Sequence, residues 1–183
     1  MTIESIIKGC QEGDAEARRE LYERYATAMF SLVRRYIRVR AVAEDVFHDG
    51  FVTLYTKIDE WRGSGSFEGW MRRIFINTAL TYLRRTSSRG VVDEDVSELP
   101  PGTAGGAPPE AVSMISDKEL MVLIDRLPEG FKTVLMLHAV DGYSHAEIAE
   151  MLSISETTSR SQFMRAKARL AEMIERVENS PIY

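Results

Sequence analysis

A single cysteine, Cys10, stands among 183 residues, so no internal disulfide can form. That usage fits a reducing compartment. Three histidines, His48, His138 and His145, lie far apart along the chain and share no metal-ligand spacing. No apolar run approaches the roughly 20 residues that a membrane-spanning helix needs. The stretch Met1–Asp14 has no basic region followed by a long apolar segment, as a secretory leader would. The expectation is a cytoplasmic protein with no membrane insertion. A phosphate-cradling glycine motif with its lysine is missing, and Gly63-Ser64-Gly65 lacks the strand-to-helix frame of a nucleophile elbow. The sequence therefore predicts no enzyme, no catalytic residue, no metal and no cofactor. Excess positive charge is missing too, because the formal net charge is −5. That total disfavours nucleic acid, yet phosphate binding depends on local patches and not on the sum.

The charge is in fact segregated. Between Trp61 and Gly90 stand Arg62, Arg72, Arg73, Arg84, Arg85 and Arg89 against one acid, Glu68. Between Val91 and Asp117 stand Asp93, Glu94, Asp95, Glu98, Glu110 and Asp117 with no lysine or arginine. A basic block followed by an acidic one suggests two surfaces with different partners. The acidic stretch also holds two Pro-Pro pairs and a Gly-Gly and has no helical periodicity, which reads as a flexible linker. It is too long for a loop inside a compact domain. The boundaries follow: an N-terminal domain over 1–85, a flexible acidic linker over 86–115 and a C-terminal domain over 116–178.

Both flanking segments carry the period of helices and neither carries that of strands, so the fold class is all-α: two small helical domains. One helix starts near Asp14 and carries Met29, Phe30, Leu32, Val33, Tyr36 and Ile37. Phe47, Phe51, Leu54, Tyr55 and Ile58 form the next stripe. After a turn at Gly63–Ser66, Phe67, Trp70, Met71 and Ile74 open a helix running to about Arg85. Beyond the linker, Leu120, Leu123, Ile124 and Leu127 share one face. Pro128 then interrupts, and a helix through Val134, Leu135 and His138 ends at Gly142.

Ser144-His145-Ala146-Glu147 has the pattern of a capping box, which starts a short helix through Ile148, Ala149 and Leu152. Ser153-Ile154 makes a tight turn, and Ser155 caps a long helix to about Val177. A short helix, a tight turn and a longer helix make a helix-turn-helix. Ser159, Phe163, Ala166, Leu170 and Met173 fall on its inward stripe. Thr157, Thr158, Arg160, Ser161, Gln162 and Arg165 lie near the end that would enter a major groove. Short hydroxyls suit phosphates, Arg160 can pair with guanine and Gln162 with adenine.

Further motifs stand in the first domain. Val42-Ala43-Glu44-Asp45-Val46-Phe47-His48-Asp49-Gly50-Phe51, with Leu54 and Tyr55, resembles the acidic helix of extracytoplasmic-function sigma factors. So does Phe67-x-x-Trp70-x-x-Arg73-Ile74-x-x-Asn77, ending in Arg84-Arg85. Glu147-Ile148-Ala149-Glu150 and Thr158-Ser159-Arg160-Ser161-Gln162-Phe163-x-Arg165-Ala166 resemble the second DNA-binding domain of that family. The likeness covers nearly the whole chain, with the linker in the expected place. The family often has Asp or Asn where this chain has Thr81, and usually Gly, Val and Arg where it has Thr157, Ser159 and Gln162.

The resemblance implies partners: the core of bacterial RNA polymerase, promoter DNA and an anti-sigma factor. It assigns Glu44, Asp45, His48 and Asp49 to polymerase. These residues also read as an acidic patch at a helix start, where the macrodipole favours negative charge. It assigns Trp61, Arg62 and Ser64 to a loop that captures a flipped base of the −10 element. Arg73, Asn77, Thr81 and Arg84 lie on one helix face, flanked by Arg72 and Arg85, and can follow a phosphate backbone. The assignment for −10 DNA is thus Trp61, Arg62, Ser64, Arg73, Asn77, Arg84 and Arg85. For −35 DNA it is Thr157, Thr158, Arg160, Ser161, Gln162 and Arg165. By their spacing, Phe67 and Trp70 read as core. Two other readings remain open at this level. One is a helix-turn-helix regulator whose first half senses a ligand or dimerises. The other is a helical interaction protein with no DNA role.

Overall fold

Cap residues and apolar stripes set where each helix begins and which face it buries. A computed structural model describes residues 1–86 and 116–178, and these residues fall into two units, one on each side of 87–115. Every regular element among the described residues is helical. The acidic block of the linker lies outside the described residues.

In the first unit, α1 spans Ile3–Gln11, α2 Ala15–Tyr36, α3 Arg40–Lys57 and α4 Phe67–Thr86. Thr2 caps α1 and Asp14 caps α2, each side chain accepting a first-turn N–H that the helix leaves unpaired. The periodicity of the sequence located α2, α3 and α4 but singled out no helix before Asp14. The signal was there: Ile3, Ile6, Ile7 and Cys10 recur at helical spacing behind Thr2. Cys10 is 1% exposed, because α1 seats that face on α2. Burial pushes its thiol up from its ordinary value.

The core of this unit is Ile6, Leu21, Met29, Leu32, Leu54, Met71 and Phe75. Phe47, Phe51 and Phe75 pack edge-on or tilted, with ring centroids 5.1–6.1 Å apart. Gly50 lets α3 and α4 approach: a Cβ there would lie 2.5 Å from the ring of Phe75. α4 runs through Thr86, one residue beyond the expected end of the helix.

In the second unit, α5 spans Asp117–Ile124, α6 Glu129–Leu135, α7 His145–Leu152 and α8 Glu156–Glu178. α6 continues into a wider π turn over Met136–Val140, and Gly142 at φ 79° ends it. Ser116 with Glu119, and Ser144 with Glu147, form reciprocal capping boxes. Ser153 in the left-handed conformation makes the turn between α7 and α8, and the Ser155 hydroxyl accepts from the N–H of Thr158. The Ser144–Glu147 box, the turn at Ser153 and the Ser155 cap are those that the sequence predicts; the Ser116–Glu119 box was not singled out. Leu123, Leu127, Val134, Leu137, Ile148 and Ala166 form the core. Lys132 is buried there, its ammonium 2.6 Å from Asp125. No periodicity argument foretells a charge in that place; it is tolerated because the carboxylate compensates it.

Candidate nucleic-acid and protein interfaces

Three surfaces carry the residues singled out from sequence. The first is the outer face of α3. Asp45, His48 and Asp49 are exposed there, and Val52, 65% exposed, continues the same face one turn on. Glu44 differs. It is half-buried, and its carboxylate sits 2.8 Å from Arg40. Because α3 begins at Arg40 and its first turn holds no acid, the expected support from the helix macrodipole does not apply. That effect fades within one turn. The patch is thus an acidic and apolar surface, with two free-standing aspartates and one glutamate already paired.

The second surface combines the loop after α3 with the face of α4. A 3-10 turn, Ile58–Glu60, leads to Trp61, and Gly63 and Gly65 take φ values of 75° and 82°. Side-chain-bearing residues rarely adopt that region, which explains glycine at both places. Nothing lies within 4 Å of where their Cβ atoms would sit, so the loop is open to an incoming group. The Ser66 hydroxyl accepts from the Gly69 N–H and starts α4. Phe67 is buried as core, in line with its spacing. Trp70 is only half-buried: its ring lies 5.6 Å from that of Trp61 and 5.7 Å from that of Phe67. Trp61, also half-buried, lies 5.6 Å from Phe67 and completes a three-ring platform at the root of the loop.

Arg62 and Ser64 are exposed on the loop, and Arg73, Asn77, Arg84 and Arg85 on α4. Thr81, on the same face, is half-buried and accepts from the Arg84 guanidinium at 3.2 Å. Arg72 is turned toward Glu68, 3.7 Å away.

The third surface is the start of α8. Thr157, Arg160 and Ser161 are exposed, and Thr158, Gln162 and Arg165 are half-exposed. Arg160 is paired with Glu156, and Ser161 returns its hydroxyl to the Thr157 carbonyl. Of the inward stripe, Ser159 and Ala166 are fully buried, while Phe163, Leu170 and Met173 are half-buried.

Behind that face lies a cluster that sequence distance concealed. The rings of His138 and His145 stack at 4.2 Å, and Phe163 stands edge-on to His138 at 4.7 Å. The π turn and the start of α7 close the seven-residue gap between the two histidines. His145 Nδ1 lies 2.9 Å from the buried Ser159 hydroxyl, and His138 Nδ1 lies 2.7 Å from the Tyr143 carbonyl. Burial, then His138 and Arg160, hold His145 below its ordinary value of 6.5, against a smaller opposing effect of Glu156. No group of three or more His, Cys, Asp or Glu that could hold a metal occurs among the described residues. No helix among them is long and apolar enough to cross a membrane.

Known proteins match this arrangement in order. Residues 21–89 match the family model described as sigma-70 region 2, and residues 117–170 the one described as sigma-70, region 4. The chain is 33% identical to the ECF RNA polymerase sigma-E factor of Haemophilus influenzae, over 96% of this chain and 94% of that protein. It is also 33% identical to the sigma-E factor of Escherichia coli K12, over 91% of each. Among solved structures, it resembles CnrH in complex with the cytosolic domain of CnrY. There the TM-score is 0.54 and the identity 20%, over 96% of this chain and 97% of that one. It also resembles the sigma factor RpoE in complex with the anti-sigma factor NepR from Bartonella quintana. Here the TM-score is 0.55 and the identity 18%, over 86% of this chain and 96% of that one. With regions 2 and 4 in sequence and a third of its residues shared with curated relatives along nearly its whole length, the chain belongs to the extracytoplasmic-function group of the sigma-70 family.

Proposed function

We propose that this chain acts as a transcription initiation factor in the cytoplasm, without enzymatic activity of its own, directing core RNA polymerase to specific promoters and assisting DNA melting. The observation that carries the reading is the pairing of two differently built polar surfaces in one chain. One is an arginine-bearing helix face next to an open glycine loop with a tryptophan at its root. The other is a helix-turn-helix with polar side chains at the start of its second helix.

Asp45, His48 and Asp49, with Glu44 beside them, hold polymerase through the outer face of α3. Arg73, Asn77, Arg84 and Arg85 follow the sugar-phosphate backbone of the −10 element. Trp61, Arg62 and Ser64 receive a base that has left the stack, because aromatic rings stabilise unpaired bases whatever their sequence. This interaction becomes available only once the strands part, so the binding energy favours the open state over the duplex. Thr157, Thr158, Arg160, Ser161, Gln162 and Arg165 contact the −35 element as intact duplex. The linker keeps each domain at high effective concentration for the site of the other. Two structural neighbours were solved with CnrY and with an anti-sigma factor, and we extend to this chain an anti-sigma partner that covers one or both domains.

Reconstitution with purified core tests the reading. The full chain should be retained by immobilised core and should support run-off transcription from a subset of promoter fragments selected from genomic DNA. Absence of core retention together with absence of any promoter-dependent product would overturn it. Tight, specific duplex binding by the free chain, unaffected by core, would point instead to a regulator that acts alone.

A further inference from the structure

The last residue of α1 reaches into the loop at the start of the proposed base-capturing site. The side-chain amide of Gln11 donates to the carbonyl of Ile58 at 3.1 Å and to that of Trp61 at 3.4 Å, across 47 and 50 positions of sequence. The N–H of Trp61 donates to the same Ile58 carbonyl at 3.2 Å. The two contacts therefore bracket the 3-10 turn that sets where the Trp61 ring stands. α1 is a firm base for them, since Ile6 and Cys10 are fully buried against the rest of the unit. The loop beyond is the opposite: Arg62–Ser66 is exposed, with two glycines at positive φ, and has little of its own to fix it. Residues 3–11 lie outside the stretch that matches sigma-70 region 2, so this support is added to the matched domain from without.

We propose that Gln11 is a positioning residue for base capture: by tying the Ile58 and Trp61 carbonyls to α1, it holds the Trp61 platform where an unstacked base of single-stranded DNA is received, and so sets how strictly that base is selected. This rests on the reading of the loop as the base-capturing element. Two donors to backbone carbonyls on opposite sides of one turn are a means of fixing position. Gln11 itself is not required to touch the DNA.

The test uses holoenzyme assembled from purified core and the full chain. The probe is a library of forked duplexes with a randomised single-stranded non-template stretch, and bound members are sequenced. Gln11→Met keeps the length of the side chain and removes both donors. It should lower the base preference at the captured position about tenfold, the scale expected for two modest hydrogen bonds. Affinity for core should not change, and the thermal midpoint should fall only by the modest amount that two lost hydrogen bonds imply. Gln11→Lys, which restores donors, should recover part of the preference. Gln11→Glu, which sets a carboxylate against two carbonyls, should do worse than methionine. In the free protein, amides 62–66 should exchange hydrogen faster in Gln11→Met. If Trp61→Ala removes the preference while Gln11→Met leaves it intact, the positioning role is overturned and the loop reading stands. If Trp61→Ala leaves the preference intact, the loop reading itself falls. If Gln11→Met weakens core binding and base preference alike and lysine restores neither, the residue is merely structural and the inference is overturned.

Discussion

His145 Nδ1 and the Ser159 hydroxyl, 2.9 Å apart, join the first turn of α7 to the buried side of α8. Ser159 is 0% exposed, and a buried hydroxyl without a partner is costly, so this contact fixes the angle between the two helices of the helix-turn-helix. The His145 ring also stacks on His138, Phe163 stands at its side, and Arg160 and Glu156 of α8 act on its charge. Its folded pKa is depressed below 6.5, chiefly by burial. The unfolded chain therefore takes up the proton first as pH falls. Stability from the neutral ring is complete above about pH 6.5 and declines as pH drops below it. Protection of α8 amides in the full chain, with the intrinsic exchange rate divided out, should fall between pH 7 and pH 5, and His145→Gln should flatten that fall. An identical pH profile in that variant would sink the assignment.

Gly50 and Phe75 make a second prediction. Alanine favours helices over glycine by about 1 kcal/mol, so Gly50→Ala would be stabilising on an isolated helix. Here its methyl would lie 2.5 Å from two carbons of a ring that is 0% exposed and packed by Phe47 and Phe51. Overpacking of this kind typically costs about 1–3 kcal/mol. Because the ring has no exposed direction in which to move, crowding should win, with a net loss of up to about 2 kcal/mol. Urea unfolding followed by the tryptophan fluorescence of Trp61 and Trp70 measures it. Phe75→Leu in the Gly50→Ala background should cost less than the sum of the two single changes.

These two contacts also show what the sequence could and could not disclose. The helices that carry the candidate surfaces were legible because caps and apolar periodicity act within one turn: Asp14, Ser144 and Ser155 begin helices as read. The glycine loop was legible because positive φ selects its residue type. Pairings that depend on the tertiary fold were not. Nothing local says that Gln11 meets Trp61, or that His138 and His145 stack after a π turn. A buried Lys132 contradicts the usual exposure of lysine, and only the position of Asp125 accounts for it. Glu44 shows the same limit in the candidate site. Its motif placed it with Asp45 and Asp49, and the helix start at Arg40 then gave it a partner.

That difference among the acids can be measured. Asp45 and Asp49 present unshared charge on the outer face of α3, whereas Glu44 is 45% exposed and engaged with Arg40. Removing a carboxylate that already has a cation changes the outward field little, and exposed pairs of this type contribute only up to about 1 kcal/mol to stability. Asp45→Ala with Asp49→Ala should therefore weaken core binding roughly tenfold or more, the scale of a lost charge-assisted contact or two. Glu44→Ala should do markedly less, and circular dichroism should show unchanged helix in both variants. Equal losses from Glu44→Ala and the double change would mean that the polymerase reads Glu44 directly and that Arg40 lets it go.

The arginines at the end of α4 divide in the same way. Arg84 and Arg85 are exposed, and Arg84 rests on the Thr81 hydroxyl, a neutral partner that leaves its charge undiminished. Arg72, in contrast, faces Glu68 at 3.7 Å. Each phosphate contact adds about 0.7 to the slope of log affinity against log salt on single strands and about 0.9 on duplex. In holoenzyme bound to a forked −10 probe, Arg84→Ala and Arg85→Ala should each flatten that slope by nearly one unit, and Arg72→Ala by clearly less. Thr81→Ala should leave the slope alone, because it removes an aligning hydroxyl and no charge, while lowering affinity modestly at every salt concentration. A slope unaffected by Arg84→Ala and Arg85→Ala would place both guanidinium groups in solvent in the complex and move the phosphate track to Arg73 and Asn77, nearer the middle of the helix.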